Sequence, residues 1–246
     1  MQWWKSLHHG MAALVLAGVS ASSAWAMSAV EKQVAQKASK LFAGQELAAK
    51  QLPQGLFEIL VVNEKAIFYV DKDVRFLFDG QLYDVQQQVN LTQQREEDLM
   101  RIQLSDLNMK DAIQSVNGKG SRQLIVFEDP NCGFCRQLRG TLATIPDLTV
   151  HFFLIPVLGE DSLQKSQRIV CAADPASTLH TWMEKGVAPP VVNVSGACTE
   201  GLARNRSFAQ RHRITGTPTL FFSDGSRMTG AQPAAAIQQK LASLGK

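Results

Sequence analysis

The chain has 246 residues, of which 45% are hydrophobic and only four are cysteine. Its 25 basic and 22 acidic side chains leave a formal charge of +3, a balance that points to neither nucleic acid nor an acidic substrate as partner. The leading apolar stretch, residues 11–19, is far short of the roughly 20 residues that span a bilayer, and no later stretch comes close.

In chain order, Lys5, that apolar stretch and the small-x-small run Ala24-Trp25-Ala26 have the pattern of an export signal, residues 1–26, cleaved near Ala26. An exported chain meets an oxidising compartment, in which disulfides persist. Val30, Val34, Ala38 and Leu41 then recur at helical spacing and predict a short amphipathic helix. From Leu56 the period changes to two: Phe57, Ile59 and Val61 alternate, then Ile67 and Tyr69, then Val74, Phe76 and Phe78. The helix and this antiparallel meander, residues 27–91, make a unit of roughly 60 residues, a size that is marginal alone. It is expected to lean on a second copy of itself through an open strand edge.

Residues 92–110 read as a connector. Thr92 suits a helix N-cap, and Arg95, Glu96, Glu97, Asp98 and Arg101 predict one solvated helix over 92–107 that joins two domains. The second domain, 111–246, opens with residues 112–116, the turn Asn117-Gly118-Lys119-Gly120 and residues 123–127, together the pattern of a hairpin. An extended run follows at 148–157, then helical pieces around 162–173, 177–185 and 202–214. A strand at 218–222 and a closing helix at 233–244 complete an α/β domain with a helical insertion.

Within it, Leu124, Ile125, Val126 and Phe127 lead through a polar turn into Cys132-Gly133-Phe134-Cys135, after which a helix begins. Strand, turn and Cys-x-x-Cys at a helix start is the thioredoxin-type arrangement. There the first thiol faces unpaired backbone N–H groups and the positive end of the helix dipole, which favour the thiolate. The second lies one turn deeper, in reach to close or break the bond. Four cysteines allow three pairings. If Cys132 and Cys135 are the redox couple, Cys171–Cys198 remains as a structural disulfide, a contribution of about 3–4 kcal/mol in the chain-entropy account. The alternative, a four-cysteine zinc site, lacks a second short-spaced pair. His151 and His180 carry no ligand pattern and Trp182 reads as core, so neither metal nor cofactor is expected.

Nearly all of the chain after the leader resembles the bacterial periplasmic disulfide isomerases of the DsbC/DsbG family. The resemblance is carried by Phe127-Glu128-Asp129-Pro130-Asn131-Cys132-Gly133-Phe134-Cys135, by Gly216-Thr217-Pro218-Thr219, which is similar to a cis-proline loop, by Gly80-Gln81-Leu82-Tyr83-Asp84-Val85 with Asn90-Leu91-Thr92 after it, which is similar to the end of the family's N-terminal domain, and by the places of Cys171 and Cys198. It implies a V-shaped homodimer with a cystatin-like N-terminal domain, a linker helix and a thioredoxin-fold catalytic domain. It also implies a hydrophobic cleft between two active sites, misfolded disulfide-containing proteins as substrates, and a membrane reductase of the DsbD type as partner. Cys132 would be the nucleophile and Cys135 the resolving thiol. Neither Gly133 nor Phe134 offers a side-chain donor to the thiolate, so a potential less oxidising than the about −120 mV of DsbA is expected. Phe134 reads equally as substrate contact or as packing.

Sequence alone favours a trans Thr217–Pro218 bond; the resemblance implies cis, with the Thr217 backbone free to pair with substrate. In thioredoxins and DsbA a buried acid lies six residues before the first cysteine, where this chain has Val126. Glu128 and Asp129 are nearer acids, each open as the proton acceptor for Cys135. Two other activities stay open beside the isomerase: a DsbG-like reductase of sulfenylated or mixed-disulfide cysteines, and a dimeric holdase without chemistry.

Overall fold

The structure is a computed structural model that describes residues 26–245, so the leader lies outside the described residues but for Ala26. The chain divides into two compact units between Gly80 and Gln81. In the first, Ser28 caps α1 (Ala29–Ala38): its hydroxyl accepts from the Glu31 amide, and the Glu31 carboxylate accepts from the Ser28 amide. The same carboxylate accepts from the Gln51 amide at 2.8 Å, which ties the helix start to β1 (Leu47–Gln51). Val34, Ala35 and Ala38 pack with Ala49, Phe57, Ile59 and Val70 of an antiparallel sheet. Its order is β1-β2-β3-β4, where β2 is Phe57–Val61, β3 Ala66–Val70 and β4 Leu77–Phe78.

This unit departs from the sequence reading in four places. The helix stops before Leu41, which is exposed, because the Ser39 hydroxyl donates to the Gln36 carbonyl at its end. β1 adds a strand where Leu47-Ala48-Ala49-Lys50 shows no alternation of large apolar residues. β2 is buried at all five positions, so its two faces do not differ. The third expected strand shrinks to Leu77–Phe78 because the Asp71 carboxylate collects the amides of Asp73, Arg75 and Phe76 into a loop.

The second unit begins with a short hairpin, β5 (Tyr83–Asp84) and β6 (Val89–Asn90), that feeds α2 (Leu91–Leu99). Here the connector reading is corrected. Asn90, not Thr92, is the N-cap, accepting from the Gln93 amide at 3.0 Å; the buried Thr92 hydroxyl accepts from the Leu82 amide at 2.8 Å. The helix also ends at Leu99 instead of running to Leu107. Beyond it the Ile102 amide donates to the Gly225 carbonyl, Arg101 bridges Asp98 and Asp224, and Ile102 and Leu107 are buried in this unit's core. A continuous solvated helix would leave those two apolar side chains in water.

Five strands follow: β7 (Ile113–Asn117), β8 (Arg122–Glu128), β9 (Leu148–Leu154), β10 (Thr219–Phe221) and β11 (Arg227–Thr229), in the order β11-β10-β8-β9-β7. The expected β7–β8 hairpin does not form. β9 lies between them, parallel to β8 (Leu124↔Val150) and antiparallel to β7 (Ile113↔Phe152). The loop at Asn117 is bound to the approach of β9: Asn117 Nδ2 donates to the Ile145 carbonyl at 2.8 Å and the Lys119 amide to Asp147 at 2.8 Å. Gly120 sits at φ 62° against Thr149, where a Cβ would collide with the threonine hydroxyl. The chain is thus carried past the end of β9 instead of turning back onto β7.

α3 (Gly133–Ala143) crosses from β8 to β9. α4 (Glu160–Val170), α5 (Pro175–Lys185) and α6 (Gly196–Arg211) form the insertion, and α7 (Ala234–Leu244) closes the chain. Cys171, at the end of α4, is joined to Cys198, in the first turn of α6, across 27 residues that include α5. Closing a loop of that length stabilises a fold by about 3–4 kcal/mol. The Cys171→Ala/Cys198→Ala double variant is expected to lose that much in urea denaturation of the reduced-dithiol protein. An unchanged midpoint would show the bond to be idle.

Candidate active site

Side chains of a strand alternate between faces, and β8 uses both. Leu124 and Val126 enter the core shared with Cys132, Cys135, Leu138 and Phe152, whereas Ile125 and Phe127 enter the opposite core with Phe153, Phe208 and Phe221. Phe127 is the hub of the second, with ring centroids of Phe153 and Phe208 at 5.2 and 5.5 Å. By the same alternation Glu128, the last residue of β8, falls on the face that carries α3.

The segment between strand and helix is held by Asp129. Its fully buried carboxylate accepts from the amides of Asn131, Val157 and Leu158 and from the Ser162 hydroxyl, at 2.7–2.9 Å. One side chain therefore locks the approach to the dithiol onto the loop after β9 and the first turn of α4. Four donors occupy both oxygens, a structural role.

Cys132 is the N-cap of α3, and Cys132 and Cys135 both carry free thiols. The Cys132 sulfur accepts from the Cys135 amide at 3.3 Å and donates to the Thr217 carbonyl at 3.2 Å. Thr217 precedes Pro218 through a cis peptide bond. Cys132 retains 5% of its surface and Cys135 none. Gly133 has open space where a Cβ would be, and Phe134 is 65% exposed. An apolar ring therefore stands in solvent two residues after Cys132.

Beneath the dithiol lies a buried ion pair. Arg139, one turn after Cys135 on α3, forks onto Glu128 with contacts of 2.6 and 3.1 Å, and both side chains are buried. The Arg139 guanidinium also sits 3.7 Å from the centroid of Phe152. Burial pushes the Glu128 carboxyl above its ordinary value, with Arg139 opposing that push. Burial, and then the Glu128 charge, push the Cys135 thiol far up. Of the two acids the sequence left open, Glu128 is the one that bears on Cys135.

Trp182 packs against the core that holds the dithiol but is only partly buried, and its indole N–H donates to the Pro130 carbonyl at 2.6 Å, bracing the same segment from α5. His151 pairs with Gln123 at 2.6 Å and His180 with Glu184 at 2.8 Å; neither bonds to the dithiol. Sequence reasoning missed Arg139 and the bracing by Trp182. For Arg139 a signal existed: a cation four residues after the second cysteine shares its helix face.

Comparisons with known proteins also divide the chain in two, with the N-terminal match reaching past Gly80 over the β5–β6 hairpin into α2. A family described as a thioredoxin-like domain matches residues 109–245, and one described as the N-terminal domain of disulfide bond isomerase proteins matches residues 21–93. A protein of Bordetella avium named probable thiol:disulfide interchange protein DsbC is 38% identical over 189 residues, which are 77% of this chain and 66% of that protein. Its namesake in Bordetella pertussis is 36% identical over 214 residues, 87% of this chain and 73% of that protein. The crystal structure of a disulfide interchange protein from Neisseria gonorrhoeae superposes with a TM-score of 0.50 at 29% identity, covering 56% of this chain and 97% of that one.

Proposed function

The chain belongs to the DsbC family of thiol:disulfide interchange proteins, and from that premise we propose that it is an exported, dimeric protein disulfide isomerase acting through Cys132 and Cys135. The observation that carries the reading is the asymmetry of the two thiols. Cys132 caps the helix and keeps 5% of its surface, whereas Cys135 lies a turn deeper with none and its thiol is pushed up. One is built to attack, the other to wait.

The Cys132 thiolate attacks one sulfur of a substrate disulfide. The new bond is a mixed disulfide, and the other substrate sulfur leaves as a thiolate. If a substrate thiolate then attacks the substrate sulfur of that mixed disulfide, Cys132 leaves unchanged and the substrate is rearranged with no net oxidation. If Cys135 instead loses its proton and attacks the Cys132 sulfur, the substrate leaves reduced. The two protein thiols are then oxidised to a disulfide, and a membrane reductase of the DsbD type returns the two electrons. Because Cys135 is held as a thiol, the second route is slow and the first has time to run. Phe134 and the backbone of Thr217 beside Pro218 supply contacts for an extended, partly unfolded substrate.

Pairing of two copies is supported by the edge of the first unit. β4 is an outer strand of its sheet, and Leu77 and Phe78 in it and Phe76 just before it are exposed. An apolar open edge is a template for a second chain. The Phe76→Lys/Phe78→Lys variant is expected to sediment at half the native mass. A dimer that survives both changes would place the interface elsewhere. Export to the periplasm rests on the leader at residues 1–26.

The test is reactivation of a scrambled, multiply mispaired protein by the reduced chain without its leader, with no oxidant added. Recovery is expected. Failure with a titratable dithiol would move the reading to a narrower thiol reductase.

A further inference from the structure

Arg136 directly follows Cys135, on the exposed side of α3. Its guanidinium carbon lies 4.7 Å from the centroid of the Trp182 ring, and that ring is fixed by its bond to Pro130, two residues before Cys132. Lys165 lies at the same distance from the same ring. The two cations differ in one respect. Lys165 is paired with Asp161, which also accepts from the Asn131 side-chain Nδ2. Arg136 has no carboxylate partner among the described residues.

Stacking on an aromatic face holds a guanidinium flat and leaves its in-plane N–H groups free. Those groups match a carboxylate in a two-bond fork, which a lysine cannot reproduce. The result is a pre-oriented, unanswered fork one residue from the dithiol. We propose that Arg136 is a specificity-determining residue that binds a carboxylate next to the target cysteine, so that disulfides flanked by aspartate or glutamate are the preferred substrates. The chain's near-balanced total charge hides this, because the preference is set by a single local cation. The inference rests on the proposal that Cys132 exchanges disulfides, and its test separates the two.

The experiment uses the reduced protein without its leader and three peptides that differ only in having Asp, Ser or Lys beside a mixed disulfide to one common leaving thiol. The rate of mixed-disulfide transfer to Cys132 is divided, for each peptide, by its rate with dithiothreitol, which removes the peptide's own reactivity. The wild-type protein is expected to favour Asp over Lys by about two- to fivefold, the range of exposed ion pairs. That ratio should shrink in molar salt. Arg136→Gln should bring it to about one, and Arg136→Lys should leave part of it. Because the readout is a ratio within each variant, a general change in the reactivity of Cys132 cancels. A wild-type ratio of one, or a ratio that survives Arg136→Gln, would overturn the inference and leave the exchange chemistry standing. No transfer from any peptide, the Ser peptide included, would remove the exchange reading and this inference with it.

Discussion

With serine in place of Cys132, disulfide exchange is expected to fall by on the order of 10³-fold or more, to the background of uncatalysed exchange. The reason is chemical. A serine hydroxyl stays protonated at neutral pH and forms no bond to a disulfide sulfur, so the first intermediate does not exist. The structure adds a sharper expectation for the second cysteine. Cys135 is completely buried and its thiol is pushed up, first by burial and then by the Glu128 charge. The Cys135→Ser variant should therefore still form the mixed disulfide, accumulate it, and keep a substantial part of rearrangement while losing reductive release. Non-reducing electrophoresis after mixing with a scrambled substrate reads the trapped species, and reactivation reads the rearrangement. Equal loss from both variants would mean that Cys135 takes part in every turnover, and the asymmetry argued from burial would be wrong.

Replacing Arg139 by methionine should cost about 3–5 kcal/mol, because it leaves the Glu128 carboxylate buried without its partner. The methionine keeps most of the packing, so the loss is electrostatic. The Arg139→Met/Glu128→Gln double variant should recover most of it, since removing both charges of a buried pair is often nearly neutral.

The dependence on pH has a definite sign. Burial raises the Glu128 carboxyl in the folded protein above its unfolded value. The folded state therefore holds that proton more tightly, and the penalty on stability is absent below the unfolded value of about 4.3 and grows as pH rises. Without Arg139 nothing opposes the push, so the deficit of Arg139→Met against wild type should be largest near neutrality and shrink toward pH 4. Urea midpoints at several pH values measure this. A deficit that stays constant with pH would show that Arg139 contributes through packing on Phe152 and not through its charge.

The sequence by itself determined the setting of the Cys132–Cys135 pair, a strand, a turn and a helix start. Leu124–Phe127 before the turn and Cys132-Gly133-Phe134-Cys135 at a helix start are local patterns, and a strand, a turn and a helix start are local events. The Cys171–Cys198 pair was legible by elimination, because only four cysteines are present.

What the tertiary structure decided lies between elements. β7 and β8 look like a hairpin along the chain, yet β9, some 25 residues on, separates them, and periodicity carries no information about which strand enters between two others. β2, buried on both faces, shows no alternation to read. The helix read over 92–107 ends at Leu99 because Ile102 and Leu107 are needed in a core whose other walls, Ile125, Phe127, Phe153, Phe208 and Phe221, come from segments far along the chain. Glu128 and Asp129 are neighbours and chemically alike. One meets Arg139 across the helix interface beneath Cys135, and the other collects four donors from the loop after β9 and the start of α4. A side chain's charge, burial and reach are settled by what faces it in space, and at this dithiol the facing groups come from four separate segments of the chain.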